Sequence, residues 1–186
     1  MIANPIQRSA LAALLFSLLY VLLFYASAAL VGNQRIGGIA SLVFLPAFIR
    51  LLGFLVIGYW IVPSLFLAGA YLSVTGAYDI APGIDAELMI TATTALGGPL
   101  GVAIVSRLTR LEPSLSNLTP LRLLALSFGC SLGNALFHHA AMIWLGLSSG
   151  VTAGTISIFI GDMIGSWVII YGVKAGMDFY SRSLRS

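Results

Sequence analysis

Long apolar runs alternate with short polar ones along the whole chain. The apolar runs lie near residues 10–31, 39–59, 63–78, 88–106, 121–147 and 151–173. Most approach the ~20 residues that carry a helix across the ~30 Å hydrocarbon core of a bilayer. A backbone in lipid has to satisfy its own polar groups, so such runs are read as helices. The pattern predicts an all-α polytopic membrane protein with about six transmembrane helices, forming one transmembrane domain over 1–186. The third run is short and is expected to span by extending to Tyr78. The fourth has Gly97-Gly98-Pro99 at its centre, which predicts a broken or kinked helix, because proline removes a backbone donor and disfavours helical geometry before it. Thr91, Thr93 and Thr94 are placed to recapture freed carbonyls or to line a polar cavity.

The stretch 40–71 is the most unusual. It is almost wholly apolar, yet contains Pro46, Arg50 and Pro63. Residues 58–63 (GYWIVP) suit a tight reversal, with Tyr59 and Trp60 at the membrane interface.

Composition agrees with the pattern. Hydrophobic residues make up 59% of the 186 residues, charged ones only 8%, and the mean hydropathy is +1.03. Soluble domains average about 25% charged residues, and a soluble fold of this composition would expose apolar patches that drive association. The net charge of +3 comes without a basic run interleaved with aromatics, so nucleic-acid binding is disfavoured. A single cysteine, Cys130, excludes an internal disulfide and a multi-cysteine metal site. The run at 10–31 is longer than the apolar core of a signal peptide and is expected to be retained as the first helix.

Charge placement orients the spans. With six passes, both termini share a side with Arg8, Arg107, Arg110, Arg122, Lys174, Arg182 and Arg185. Arg35 falls opposite, with Asp79, Asp85 and Glu87. The bias in basic residues predicts cytoplasmic termini and a multi-pass protein of the bacterial inner membrane. Asn117-Leu118-Thr119 matches a glycosylation acceptor, unused in a cytoplasmic loop.

Polar groups inside the runs are the candidate site. Arg50 and Asp162 each lie at roughly mid-depth in spans that start from the same side, about 16 Å in at 1.5 Å per residue. A central arginine costs ~2.5–3.5 kcal/mol on insertion scales, and an aspartate has no stem with which to reach water. An Arg50–Asp162 pair follows as the sharpest expectation; the alternative is that each bonds backbone or other side chains. Asn134 and His138 share a helix face at i, i+4 and are placed to line a polar centre with Asp162. His138 and His139 point about 100° apart, one toward the bundle and the other toward the lipid boundary, and do not make an i, i+4 metal pair. A haem or pigment needs one axial histidine, which leaves His138 or His139 open to that reading; hydrogen bonding within the bundle is the plainer one. No metal site and no catalytic residue is expected, because no hydrolase, metalloprotease or phosphate-binding motif is present.

Leu45-Pro46-Ala47, Gly58-Tyr59-Trp60, Pro63–Ala70 and Gly161-Asp162-Met163-Ile164-Gly165 together resemble the membrane-associated sensor domain MASE1 over about 40–173. That family usually has about eight spans and an attached output domain; about six spans and no output domain are expected here. The resemblance implies a non-enzymatic module that senses a small ligand or docks to partner membrane proteins or an output protein. Two other readings remain: a small-solute binding or transport subunit, similar to the substrate-binding components of vitamin transporters, and an accessory subunit of a photosynthetic or respiratory complex.

Overall fold

A computed structural model describes residues 5–31, 35–36, 40–41, 43–78, 81–148 and 153–183. Asp79, Arg185, the turn at 149–150 and much of the first polar connection lie outside the described residues. The helices are α1 (Pro5–Val31), α2 (Ala47–Ile57), α3 (Ile61–Val74), α4 (Ile84–Leu108), α5 (Pro120–Trp144) and α6 (Ala153–Ser183). A short antiparallel ladder pairs β1 (Arg35–Ile36) with β2 (Ala40–Ser41) and packs against α6.

Among the described residues, 5 helical stretches are long and apolar enough to cross a membrane: Ile6–Leu30, Ala47–Val74, Ile84–Leu108, Pro120–Trp144 and Ala153–Ser181. The second of these is not one straight rod. Gly58 takes φ 60° and ψ −136° at the end of α2, a conformation that costs glycine little. A 3-10 turn, Gly58–Trp60, leads into α3. A Cβ on Gly53 would meet Ile61 Cδ1 at 2.2 Å, so α3 folds back onto α2. Directions against α4 agree. Arg50 lies at Gly98, and Leu51 packs with Val102, so α2 runs parallel to α4. Gly69 meets Thr91, and Leu65 packs with Ala95, so α3 runs antiparallel to it. The stretch is thus interrupted where the reversal at 58–63 is expected.

The expected second span, 39–59, is corrected. Its helix begins only at Ala47 and is 11 residues long, about 16 Å. Residues 43–46 ahead of it are not helical. Proline sets this boundary: Pro46 is the N-cap and biases Leu45 away from helical geometry. The third helix ends at Val74, short of Tyr78, where Gly76 turns with φ 69°.

Of the break or kink expected at Gly97-Gly98-Pro99, the break is absent. Helix α4 runs through Pro99 for 25 residues. The glycines serve packing instead. A Cβ on Gly101 would lie 1.9 Å from Gly129 O, and one on Gly133 would lie 2.2 Å from Gly97 O. Gly97-x-x-x-Gly101 of α4 thus meshes with Gly129-x-x-x-Gly133 of α5, antiparallel and backbone to backbone. This is the small-residue packing that lipid favours, where no hydrophobic force holds helices together. The run at 121–147 becomes α5 from Pro120, with Thr119 Oγ1 accepting from Arg122 N at 3.3 Å as its cap.

Helix α1 shows how burial is divided. Ala13, Phe16, Tyr20 and Ser27 are buried and follow a helical stripe. Leu11, Leu14, Leu15, Leu18 and Leu22 cover the other side and are more than half exposed, as lipid-facing residues are. Ser64 Oγ donates to Ala13 O at 2.7 Å, and Ser17 Oγ donates to Ser64 O at 2.8 Å. Short polar side chains thus bring α1 and α3 close at this point.

Candidate functional site

Helix α2 starts in the interior of the fold, and its backbone shows how that is possible. A helix start leaves N–H groups without helical partners. Here Ala47 N donates to Phe44 O (3.1 Å), Phe48 N to Leu45 O (3.2 Å) and Ile49 N to Pro46 O (3.0 Å). The non-helical lead-in is also tied down. Phe44 N donates to Gly161 O of α6 at 3.0 Å. A Cβ on Gly165 would strike Phe44 O at 2.1 Å, so glycine at 165 is what admits this lead-in. Ser27 Oγ of α1 donates to Val43 O and accepts from Leu45 N. Irregular backbone within an apolar bundle is tolerated when protein satisfies it in this way.

This arrangement places Arg50 in the first turn of α2. Its Nη1 donates to Asp162 Oδ2 of α6 at 2.8 Å, with side chains only 7% and 3% exposed. Its Nη2 donates to Tyr20 Oη of α1 at 2.9 Å. The Tyr20 hydroxyl lies 3.1 Å from that of Tyr78. The guanidinium also lies over the rings of Phe44 and Tyr20, at 5.2 and 5.6 Å from their centroids, where ring quadrupoles attract it. Gly98 of α4 gives room for the arginine stem, with its Cβ position 3.1 Å from Arg50 Cδ. A cation in the first turn of a helix opposes the helix dipole; the carboxylate of Asp162 offsets this.

Asn134 of α5 donates from Nδ2 to the same Asp162 Oδ2 at 2.7 Å. Its own Oδ1 is buried without a hydrogen-bond partner. The expected pair of Arg50 with Asp162 is thus present, with Asn134 as a third member. His138 is buried one turn along α5 from Asn134, at 8% exposure. The expectation that one of the two histidines faces the lipid boundary is corrected: His139 is equally buried and shares a hydrogen bond of 3.0 Å with Thr155 Oγ1 of α6. Gly97, Gly98 and Pro99 line packing contacts instead of a helix break. Among the described residues, no group of three His, Cys, Asp or Glu side chains could hold a metal ion.

Reasoning from sequence missed Tyr20, Phe44, Tyr78, Ser27 and the role of Gly165. Tyr20 and Ser27 carried a usable signal, being hydroxyls inside the first apolar run. Phe44 carried none, because its contribution depends on where the non-helical segment lies.

No protein-family profile, no curated protein and no solved structure matches the chain.

Proposed function

We propose that this protein is a non-enzymatic, multi-pass module of the bacterial inner membrane. In this reading it senses a small ligand or docks to a partner membrane protein, as its resemblance to MASE1 suggests. The observation that carries the reading is the connectivity of the charged centre. One oxygen, Asp162 Oδ2, joins α2 through Arg50 and α5 through Asn134, and Arg50 carries the link to α1 through Tyr20. Asp162 itself sits on α6, the 31-residue helix that leaves the packed body. Arg50 and Asp162 neutralise each other, so neither is poised for bond-making chemistry. A disturbance at the centre reaches four helices at once, which suits a responsive element.

The topology proposed with it has about six crossings. The lead-in at 43–46 and the half-helix α2 belong to the second, and α3 returns as the third. Helices α4 and α5 then pack antiparallel, and both termini lie on the cytoplasmic side with Arg107, Arg110, Arg122 and Lys174. In a Cys130→Ala background, an impermeant maleimide added to intact cells should label Pro82→Cys and spare Ser114→Cys. The reverse labelling would overturn the orientation.

The functional test is in-membrane crosslinking from a photoreactive residue at Val173, comparing wild type with Asp162→Asn. The expected result is a discrete protein adduct whose yield changes with the substitution while the chain remains folded by thermal unfolding. Adducts to lipid only, or a protein adduct indifferent to Asp162, would sink the reading.

A further inference from the structure

We infer that Asn134 and Asp162 form a proton-operated latch, in which the Asn134 amide has one hydrogen-bonded arrangement for charged Asp162 and another for the neutral acid. The inference rests on the reading of the centre as a responsive element and names what it responds to.

One buried atom, Asn134 Oδ1, has no hydrogen-bond partner among the described residues. Asp162 Oδ2 accepts from both Arg50 Nη1 and Asn134 Nδ2. An amide carries donors on one arm and an acceptor on the other. A half-turn of the Asn134 amide would point Oδ1 at Asp162. Against a carboxylate this sets oxygen against oxygen and is repulsive. Against a carboxylic acid it accepts the acid O–H, so the Nδ2–H bond to the carboxylate is exchanged for an O–H bond from the acid, and Nδ2 takes the buried position that Oδ1 leaves. The step is a protonation only: a proton from water bonds to a carboxylate oxygen, and no other covalent bond forms or breaks.

Protonation also ends the ion pair. Arg50 then keeps the Tyr20 hydroxyl and the faces of Tyr20 and Phe44. Because Arg50 lies in the first turn of α2, its release loosens the half-helix and the lead-in at 43–46 that rests on Gly161 and Gly165. The titratable and charged groups that face the Arg50–Asp162 pair are Tyr78, after α3, and Cys130 of α5 beside both members, and Tyr20 of α1 and His138 of α5 beside Arg50. Helix α4 presents Gly98 to Arg50, and Arg35 lies in the ladder packed on α6.

Cys130, the chain's single cysteine, is a built-in reporter. It is 4% exposed and meets the arginine stem at Gly98, whose Cβ position is 3.4 Å from Cys130 Sγ and 3.1 Å from Arg50 Cδ. The experiment measures N-ethylmaleimide modification of Cys130 in the wild-type chain in lipid nanodiscs. Each rate is divided by that of the denatured protein at the same pH, which removes the thiol's own titration. Protection is expected to fall several-fold from about pH 8 to about pH 3.5, a range that crosses the carboxyl titration region. Asp162→Asn should be poorly protected throughout. Independently, infrared spectra should show an acid carbonyl band at low pH that is absent in Asp162→Asn and shifts in Asn134→Leu. Protection that is constant with pH in wild type, or a band unmoved by Asn134→Leu, overturns the latch. A latch that opens in the isolated chain while Val173 crosslinks to no protein would retain this inference and remove the docking reading.

Discussion

Helices α4 and α5 are held by shape; α2 and α6 are held by charge. The first seam presses glycine backbones together, with Gly97 and Gly101 against Gly133 and Gly129 and no ionisable group among them. The second joins Arg50 to Asp162 and lays the non-helical lead-in at 43–46 against Gly161 and Gly165. Both depend on glycine, but for different ends. In the first seam, glycine lets two helices touch and nothing can adjust. In the second, glycine admits a non-helical carbonyl, and an ion pair adds to the backbone hydrogen bond between Phe44 and Gly161. Close packing is insensitive to protonation, whereas a buried ion pair depends on it. The molecule therefore combines a seam that resists change with one whose strength is conditional.

The sharpest way to break this comparison is Gly101→Val. The Cβ would lie 1.9 Å from Gly129 O, and backbone cannot give way as a side chain can. We expect a loss above ~4 kcal/mol, in the range reserved for severe packing defects, seen as loss of the thermal unfolding transition in detergent. The loss should be the same at every pH. A folded Gly101→Val would mean that the seam is not close-packed.

Next in size is Arg50→Ala, which strands a buried carboxylate. Removing one partner of a buried pair costs ~3–5 kcal/mol, whereas replacing both by apolar residues is often near neutral. The double variant Arg50→Met with Asp162→Leu should therefore recover much of the stability lost by Arg50→Ala, while abolishing any pH response of the second seam. If the double variant is as unstable as the single one, the loss in Arg50→Ala does not come from a stranded carboxylate. Tyr20→Phe tests the same seam more gently. It removes the acceptor of Arg50 Nη2 and leaves the ring, so a loss of about 1.5 kcal/mol is expected, the low end for a bond to a charged group. Unfolding of the pair Tyr20→Phe and Arg50→Ala should show that the two losses do not add.

The two seams also differ in how legible they were. The charged seam was visible in part because charge in an apolar run is rare: Arg50 and Asp162 stood out, and counting depth from span ends brought them to one level. Asn134 followed from its helical spacing to His138. The non-helical lead-in at 43–46 was not legible, since Phe44 and Leu45 have the same apolar character inside or outside a helix, and Pro46 marks a boundary without saying what precedes it. The glycine seam was misread. Gly97-Gly98-Pro99 signals a break when one chain segment is considered alone; its meaning as a contact requires Gly129 and Gly133 on another helix. Local signals revealed where polarity was unusual. They did not reveal which small residues were empty for the sake of a neighbour.

The smallest effect expected is of the opposite sign. Gly172 and Gly176 repeat the four-residue spacing of the α4–α5 seam, but a Cβ at either would find nothing within 4 Å. Both lie in the exposed part of α6. If spacing alone made a glycine essential, Gly172→Ala would destabilise as Gly101→Ala does. If contact is what matters, alanine at 172 should stabilise α6 by ~0.5–1 kcal/mol, the helix-propensity difference between the two residues. Amide hydrogen exchange along α6, compared between wild type and Gly172→Ala in detergent, reads this directly. Slower exchange after substitution supports contact as the criterion. Faster exchange would show that some surface packs over Gly172, and that the seam of glycines in this protein extends beyond α4 and α5.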